Sequence, residues 1–584
     1  MENFPQSLCN RHWVTTPEDQ DGHQPSLMEL CHQHEISETL ARILLSRGLS
    51  EKQSISSFLR PEENNLHDPW MMEGMRTGVE RIIKAINGYE NILVFGDYDV
   101  DGTAAAAIIF NYLKRLGARA HYFIPNRMQD GYSFSPEIIR QFAKQNIDLV
   151  ITVDHGSTAV EGARIMRQTK IDLIITDHHQ LGREIPECVA LINPQQKNCP
   201  YPFKDLSAAG VAYKVICALD ERLEDLSFWN IRGIRRINPS YYLDLVALAT
   251  VADMTPLVGE NRTLVKLGLH AINTNPRPGL SGLIKESRIK GDISPNSISF
   301  KLAPKINALG RIGDPTLAVQ LFVSHSYTEA RKLARQLGET NRKRKFIERR
   351  VYEQAINRVQ ALRDDPACVL VGGDWHPGVI GSIATRLAIE MKKPAIVLTM
   401  DQSAQAMGSA RSWDTFNILA ALEACDTFLD RFGGHPRAAG LSLSSENLPG
   451  FTEAFHRIVD QGFQCQQSGQ QGQLKIDAWV EPEMINDHLM DEIAMLSPFG
   501  YCNPEPILGM KKVKLDNLAF FNNRHLRFHL CTASGNPIDG VAWDHPDWRL
   551  NPEQYYDVAF VPQIYQGAQG SRTQLKVLDF RPAS

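Results

Sequence analysis

The sequence predicts a multidomain α/β protein: a parallel-sheet domain, a long connecting helix, a smaller α/β unit and a small C-terminal β-barrel. Three features of the chain lead there. Buried-type apolar runs at Ile92–Phe95, within D-L-V-I-T-V-D-H-G (Asp148–Gly156) and within D-L-I-I-T-D-H-H-Q (Asp172–Gln180), alternate with helical stretches. That is the pattern of parallel strands joined by helical crossovers. A charged helical sequence then runs from about Tyr327 to Asp364, on the order of 50 Å at 1.5 Å per residue. Beyond a Gln- and Gly-rich stretch, Gln461–Gln473, short alternating segments separated by turn signals take over, as in a small barrel.

Length and composition bound the rest. At 584 residues the chain exceeds one core, and about three to four domains are expected. Hydrophobic residues at 43% and charged residues at 22% describe an ordinary globular protein. The net charge of -5 argues against a basic nucleic-acid coat, although a local basic channel is compatible with it. The opening residues carry no basic segment followed by an apolar core, and no run of 18 apolar residues occurs, so a cytoplasmic protein with no membrane contact is expected. The ten cysteines include no C-x-x-C, which points to reduced, structural thiols.

Residues up to about Arg60 read as a helical lead-in, with Ile36, Leu40, Ile43, Leu44 and Leu49 at helical spacing. An amphipathic helix from about Met75 (Val79, Ile82, Ile83, Ile86) leads into N-I-L-V-F-G-D-Y-D-V-D-G, starting at Asn91. If extended geometry persists past Gly96, Asp97, Asp99 and Asp101 fall on one side of the strand's carboxyl end. Three like charges that close repel by about 4 kcal/mol per pair at ~4 Å and an effective dielectric near ~20. One Asp after a strand is commonly the cap of the next helix, but a cap uses one carboxylate and not three.

The pattern recurs. The next two strands end in Asp154–His155 and Asp177–His178–His179, and an apolar helix ends near Asp253 before Pro256. An Asp closing a helix conflicts with the macrodipole unless a cation is nearby. Ligands of parallel sheets collect at the carboxyl ends of the strands. Carboxylates with one or two histidines and no cysteine suit Mn²⁺ or Mg²⁺, and a pair of such ions suits phosphate-ester hydrolysis. No G-x-x-x-x-G-K-[ST] is present, which excludes Walker-type chemistry.

D-Y-D-V-D-G, V-D-H-G, T-D-H-H and V-A-D resemble the successive motifs of the DHH phosphoesterase superfamily. R-F-G-G-H-P-R-A-A-G (Arg431–Gly440) is similar to the G-G-H motif of the DHH-associated domain. With P-N-R (Pro125–Arg127), L-G-R-I-G-D-P (Leu309–Pro315) and G-S-A-R-S (Gly408–Ser412), the resemblance narrows to the RecJ family of single-stranded-DNA-specific exonucleases. It covers the chain from about Ile36 onward. The resemblance implies a helical lead-in (1–60), a DHH catalytic domain (61–326), the connecting helix (327–364), a DHH-associated domain (365–460), a linker (461–473) and an OB-fold (474–584).

Residue by residue, it implies that Asp97, Asp99, Asp101, Asp154, His178 and Asp253 hold two divalent ions, with Asp154 as bridge and His179 facing the scissile phosphate. Asp177 is expected to orient a histidine through its ring N–H. His155 stands where such relatives carry Asn, and a local hydrogen bond is expected for it. Arg127, Arg311, Ser409, Arg411 and His435 are expected to grip substrate phosphate, with Gly433 and Gly434 admitting the nucleic acid.

In the second half, the cluster Arg342, Lys343, Arg344, Lys345, Arg349 and Arg350 either tracks a phosphate backbone or forms a solvated helix face. A strand into Gly372–Gly373, a loop W-H-P-G-V-I-G, a helix from Ser382 and a strand A-I-V-L-T-M compose the smaller unit. In the barrel, Leu526, Phe528, Leu530, Val558, Phe560, Leu575, Val577 and Phe580 alternate inward. Most of Phe520, Phe521, Trp543 and Tyr565 are expected in its core, although exposed aromatics there would stack on bases.

The expected activity is 5′→3′ degradation of single-stranded DNA to mononucleotides, in DNA repair and recombination. Polarity and DNA preference rest on the resemblance alone. Single-strand-binding protein and helicases are expected partners of a monomeric enzyme. The alternatives are a DHH phosphodiesterase acting on oligoribonucleotides or cyclic dinucleotides, and an inactive nucleic-acid-binding relative.

Overall fold

Ile92 to Phe95 are all buried, as strands covered on both faces require, and the architecture follows from that. The computed structural model describes residues 7–9, 11–15, 27–126, 134–359, 362, 365–400, 404–464, 473–530, 537–545, 548–567 and 570–583. Two units divide the chain: one holds Asp68–Thr255 and Gly268–Gly469, the other Met1–His67, Pro256–Leu267 and Gln470–Ser584.

In the larger unit, α1 (Met75–Asn87) precedes β1 (Asn91–Gly96), α2 (Val100–Arg115), β2 (Arg119–Phe123), α3 (Pro136–Lys144), β3 (Leu149–Val153), α4 (Val160–Gln168), β4 (Asp172–Thr176) and β5 (Ala190–Ile192). The strands form one parallel sheet, order β2-β1-β3-β4-β5. Chain direction across the sheet reverses at β1 and β3. The crevice outside their carboxyl ends is therefore the switch point at which such sheets bind ligands. Ala104 to Ala107 on α2 are fully buried, and these small side chains let α5 (Ala208–Asp225) and α6 (Leu243–Ala252) pack closely against it.

The strand ends at Gly96 and the chain turns into α2 within three residues. Asp99 caps α2 by accepting the Gly102 N–H at 3.0 Å, and Asp101 already lies in the first helical turn. Gly102 makes this return possible: a Cβ there would stand 2.6 Å from the Asp97 carbonyl oxygen. The three carboxylates thus converge through a tight turn and a helix start, not through strand alternation.

After α7 (Ala303–Ile312), α8 (Tyr327–Val359) runs for 33 residues. Leu333 and Leu337 are buried in its first half and Val351, Ala355 and Val359 in its second. Its basic cluster is partly paired: Arg344 with Glu348 at 2.9 Å, Arg349 with Glu353 at 2.8 Å, and Arg342 with Glu286 at 2.9 Å. The smaller sheet contains β6 (Cys368–Gly372), β7 (Ala395–Met400), β8 (Gln405–Arg411), β9 (Arg431–His435) and β10 (Ala438–Ser444), in the order β9-β10-β8-β7-β6. Between β6 and β7, α9 spans Pro377–Met391, so it starts five residues before the expected Ser382. The reason is local. The His376 ring accepts the Gly378 N–H at 3.0 Å as the cap, and Pro377 occupies the first position, where a missing N–H costs nothing.

In the other unit, β11 (Leu508–Phe521), β12 (His525–Leu530), β13 (Ile538–Ala542), β14 (Tyr555–Gly567) and β15 (Gly570–Pro582) pair in the order β11-β12-β13-β15-β14. The β14–β11 pairing closes the barrel. Helices Leu27–His34, Glu38–Ser46 and Lys52–Leu59 share its core, in which Leu40, Leu44 and Ile55 join Phe528, Phe560 and Phe580. Arg262 is buried there and donates to the carbonyls of Phe58 (2.9 Å), Leu496 (2.8 Å) and Met495 (2.9 Å). The expectation that the other barrel aromatics are core fails. Phe520, Trp543 and Tyr565 are 45–47% exposed: Trp543 and Tyr565 are out of phase with inward-facing Ala542 and Phe560, and Phe520 sits near the end of its strand, while Phe528, Phe560 and Phe580 fill the interior.

Candidate active site

The site is assembled at the carboxyl ends of β1, β3 and β4. Asp97 and Asp99 come from the β1–α2 turn, Asp101 from the first turn of α2, Asp154 from the residue after β3, and Asp177–His178–His179 from the residues after β4. Asp253 closes α6. Donor atoms of Asp97, Asp99 and Asp154 lie within 4.8 Å of one another, as do those of Asp101, His178 and Asp253 and those of Asp154, His178 and His179. His178 Nε2 stands 3.1 Å from Asp154 Oδ1 and 3.9 Å from both Asp101 Oδ2 and Asp253 Oδ2. Asp154 thus belongs to two of these groups, and its φ of 67° shows how sharply the chain turns to aim it.

Burial, then the charges of neighbouring carboxylates, push Asp101 and Asp154 well above the usual carboxylate range. Burial and Asp99 raise Asp253 to about 7. Burial holds His178 down at about 4, and its ring also hydrogen-bonds the Leu206 backbone. An imidazole that stays neutral with Nε2 facing carboxylates presents a lone pair to a metal. His179 behaves oppositely: its Nδ1 hydrogen bond to Asp177 Oδ1, 2.8 Å, raises it to about 9. Asp177 is buried, but its bonds to His179 and to the Ser157 and His178 N–H groups hold it below the usual range. It therefore orients His179. His155 hydrogen-bonds the Phe95 carbonyl at 3.0 Å through Nε2.

These residues fit a divalent cation. Buried carboxylates that raise one another's pKa lack sufficient compensation, and oxygen donors with one neutral imidazole suit Mn²⁺ or Mg²⁺. Sequence reasoning missed one support. Asp101 accepts the N–H groups of Ala208 (2.7 Å) and Ala209 (2.8 Å), the first residues of α5. The Ser207 cap marks that helix start in the sequence, but nothing there shows that it faces Asp101.

The residues expected to bind phosphate lie on α7 and on the smaller sheet. Arg311 is near the end of α7, and its Nη1 contacts the Gly378 carbonyl on α9 at 3.3 Å. Arg411 Nη1 donates to Ser409 Oγ at 2.6 Å. In the sheet register, Gly433 pairs with Gly440, which pairs with Ser409, and His435 pairs with Ala438, which pairs with Arg411. Adjacent paired residues share a face, so Ser409, Arg411, Gly433 and His435 occupy one side of the sheet, while Gly434 falls on the other. Arg127 lies outside the described residues. Its neighbour Asn126 donates to the Gly313 carbonyl at 3.2 Å, just past the end of α7.

Residues 91–250 match the DHH family, N-terminal domain; residues 364–461 match the DHHA1 domain; residues 476–579 match the RecJ OB domain. The chain is 34% identical over 537 residues to the single-stranded-DNA-specific exonuclease RecJ of Bacillus subtilis (strain 168), a match covering 91% of this chain and 66% of that protein. To the protein of the same name from Escherichia coli (strain K12) it is 31% identical, covering 93% and 96%. This chain belongs to the RecJ family. The crystal structure of RecJ from Thermus thermophilus in complex with Mn²⁺ superposes with a TM-score of 0.81 at 26% identity, covering 98% of this chain and 80% of that one. Family membership accounts for the order of the units: DHH sheet, DHHA1 sheet, OB barrel. Among the described residues, no helix is long and apolar enough to cross a membrane.

Proposed function

We propose that this RecJ-family chain is a metal-dependent exonuclease specific for single-stranded DNA. It works from the 5′ end and releases 5′-mononucleotides in DNA repair and recombination. The observation that carries the reading is the convergence of Asp97, Asp99, Asp101, Asp154, His178 and Asp253 at one sheet edge. The named activity of the relatives supports it, as do the Mn²⁺ and Mg²⁺ complexes of the Thermus protein. In this reading the six residues would hold two divalent ions, Mn²⁺ or Mg²⁺, and Asp154, which belongs to two of the donor groups, would serve both. Bound there, such ions supply Lewis acidity and neutralise charge on phosphoryl oxygens.

The chain's own groups do the rest. His178 stays neutral near pH 7 and offers Nε2 as a donor. His179 is an imidazolium at that pH, because Asp177 holds its Nδ1 proton. Its Nε2–H binds an oxygen of the scissile phosphate and supplies a proton to the departing oxygen. Arg311, Ser409 and Arg411, with Arg127 and His435, hold the terminal phosphate through charge-assisted hydrogen bonds and so register the strand. Gly433 leaves room for the backbone on the same side of the sheet, and Gly434 permits the turn beside it. On the barrel, Phe521, His525 and Trp543 cluster with ring centroids 4.8–5.7 Å apart, a platform on which unpaired bases stack.

The test uses 5′- and 3′-labelled single strands with Mn²⁺ or Mg²⁺. Mononucleotides released first from the 5′ label support the proposal. Release confined to the 3′ end, or equal attack on blunt duplex, defeats it. The proposal extends to a monomer acting in the cytoplasm alongside single-strand-binding protein and helicases, which sedimentation and co-purification check.

A further inference from the structure

Close contacts link the metal cage to the phosphate grip. Asn307 on α7 accepts the Val100 N–H at 3.1 Å, and Gly310 faces Tyr98, between Asp97 and Asp99, so closely that a Cβ there would stand 2.4 Å from the ring. The next residue is Arg311. A Cβ on Gly378 of α9 would lie 2.2 Å from the Arg311 carbonyl oxygen. One turn along the same helix, a Cβ on Gly381 would lie 2.9 Å from Arg411 Nη2 and 3.2 Å from Ser409 Oγ.

These contacts differ in what would have to move. At Gly378 the obstacle is main chain, so a side chain there would displace a helix. At Gly381 the obstacles are a guanidinium tip and a hydroxyl, both of which can rotate away. Ordinary contact begins at 3.4 Å, so a methyl group would push the guanidinium by about 0.5 Å, enough to cost on the order of tenfold at a site that needs aligned hydrogen bonds. The fold would be spared and the grip would not.

We propose that Gly381 is a positioning residue: by leaving space beside α9 it seats the Arg411 guanidinium and the Ser409 hydroxyl for the 5′-phosphate of a single strand. This rests on the reading of Arg311, Ser409 and Arg411 as the phosphate grip. It makes the first turns of α9, rather than β8 alone, the determinant of preference for a phosphorylated end.

The experiment compares Gly381→Ala, Arg411→Ala and the double variant on 5′-phosphorylated and 5′-hydroxyl oligonucleotides, together with thermal unfolding. Gly381→Ala is expected to raise KM for the phosphorylated strand about tenfold, with little change in KM for the hydroxyl strand or in Tm. The double variant is expected to match Arg411→Ala alone, since the two changes act on one group. If Arg411→Ala raises KM for phosphorylated ends but Gly381→Ala does not, the inference is wrong and the grip stands. If Arg411→Ala leaves the end preference intact, the grip reading fails and takes the inference with it. Equal losses on both ends with a lowered Tm would make Gly381 merely structural and overturn the proposal.

Discussion

Replacing Asp154 by Asn should stabilise the metal-free protein while abolishing activity. Asn matches Asp in shape, and it tolerates the positive φ of 67° at this position better than Ala does. The substitution therefore isolates the charge. Donor oxygens of Asp97, Asp99 and Asp154 lie within 4.8 Å of one another, which at an effective dielectric near ~20 corresponds to about 3.5 kcal/mol of repulsion per ionised pair. Removing Asp154 eliminates two of the three pairs, and proton uptake by the crowded carboxylates leaves a gain on the order of a few kcal/mol. Because its pKa is raised on folding, the penalty is absent below the unfolded carboxylate value and grows as pH rises above it. The gain in Asp154→Asn should therefore be larger at pH 8 than at pH 4.

The assay is thermal unfolding with chelator and with Mn²⁺, beside hydrolysis of a labelled strand. The wild-type protein should gain about 2.7 kcal/mol from Mn²⁺ at a hundred times its Kd. The variant should start higher and gain little, with kcat reduced by about a thousandfold or more. A variant that is less stable without metal, yet keeps the Mn²⁺ shift and a tenth of the activity, would refute the cage.

Four further outcomes are expected from the same structure. Metal uptake near pH 6.5 should release protons, because Asp253, raised to about 7, is partly protonated there in the metal-free site and burial shifts Asp101 and Asp154 in the same direction; affinity should rise with pH, and calorimetry in buffers of different ionisation enthalpy reads the proton count. Asp177→Asn should return His179 from about 9 toward its ordinary value, so that the alkaline limb of the pH–rate profile moves to lower pH. Arg262→Met leaves three backbone carbonyls without their donor and should cost about 3 kcal/mol or more, read as a lowered Tm for the unit that holds the barrel, with the metal-induced shift retained. Trp543→Ala should weaken binding of a long single strand by about 1–3 kcal/mol, while a dinucleotide substrate, which has no bases to spare for the platform once its phosphates are held, turns over as before.

Much of the site was legible in the chain. Apolar runs closed by acids and imidazoles mark Asp97, Asp154 and Asp177, because a covered strand must be apolar throughout and its carboxyl end is where polar groups can surface. The inward phase of Phe528, Phe560 and Phe580 was equally readable. Other features depend on contacts between distant segments. Asp253 reaches the cage only because α6 packs on the buried alanines of α2. The N–H groups of Ala208 and Ala209 meet Asp101 only because α5 begins at that point in space. The start of α9 at Pro377 was read five residues late, although proline's preference for a first turn marks it, and the fit of Gly381 beside Arg411 was not readable at all.

Strand–helix alternation, the chemistry of the donor set and the order of the units are written in the chain, since each follows from short-range periodicity and residue type. Folding in three dimensions decides which carboxylate belongs to two of the three donor groups, which histidine is pushed toward the neutral form and which toward the charged one, and which barrel aromatics face water. Those properties depend on burial and on distances between residues far apart in the chain. Local pattern carries no information about either.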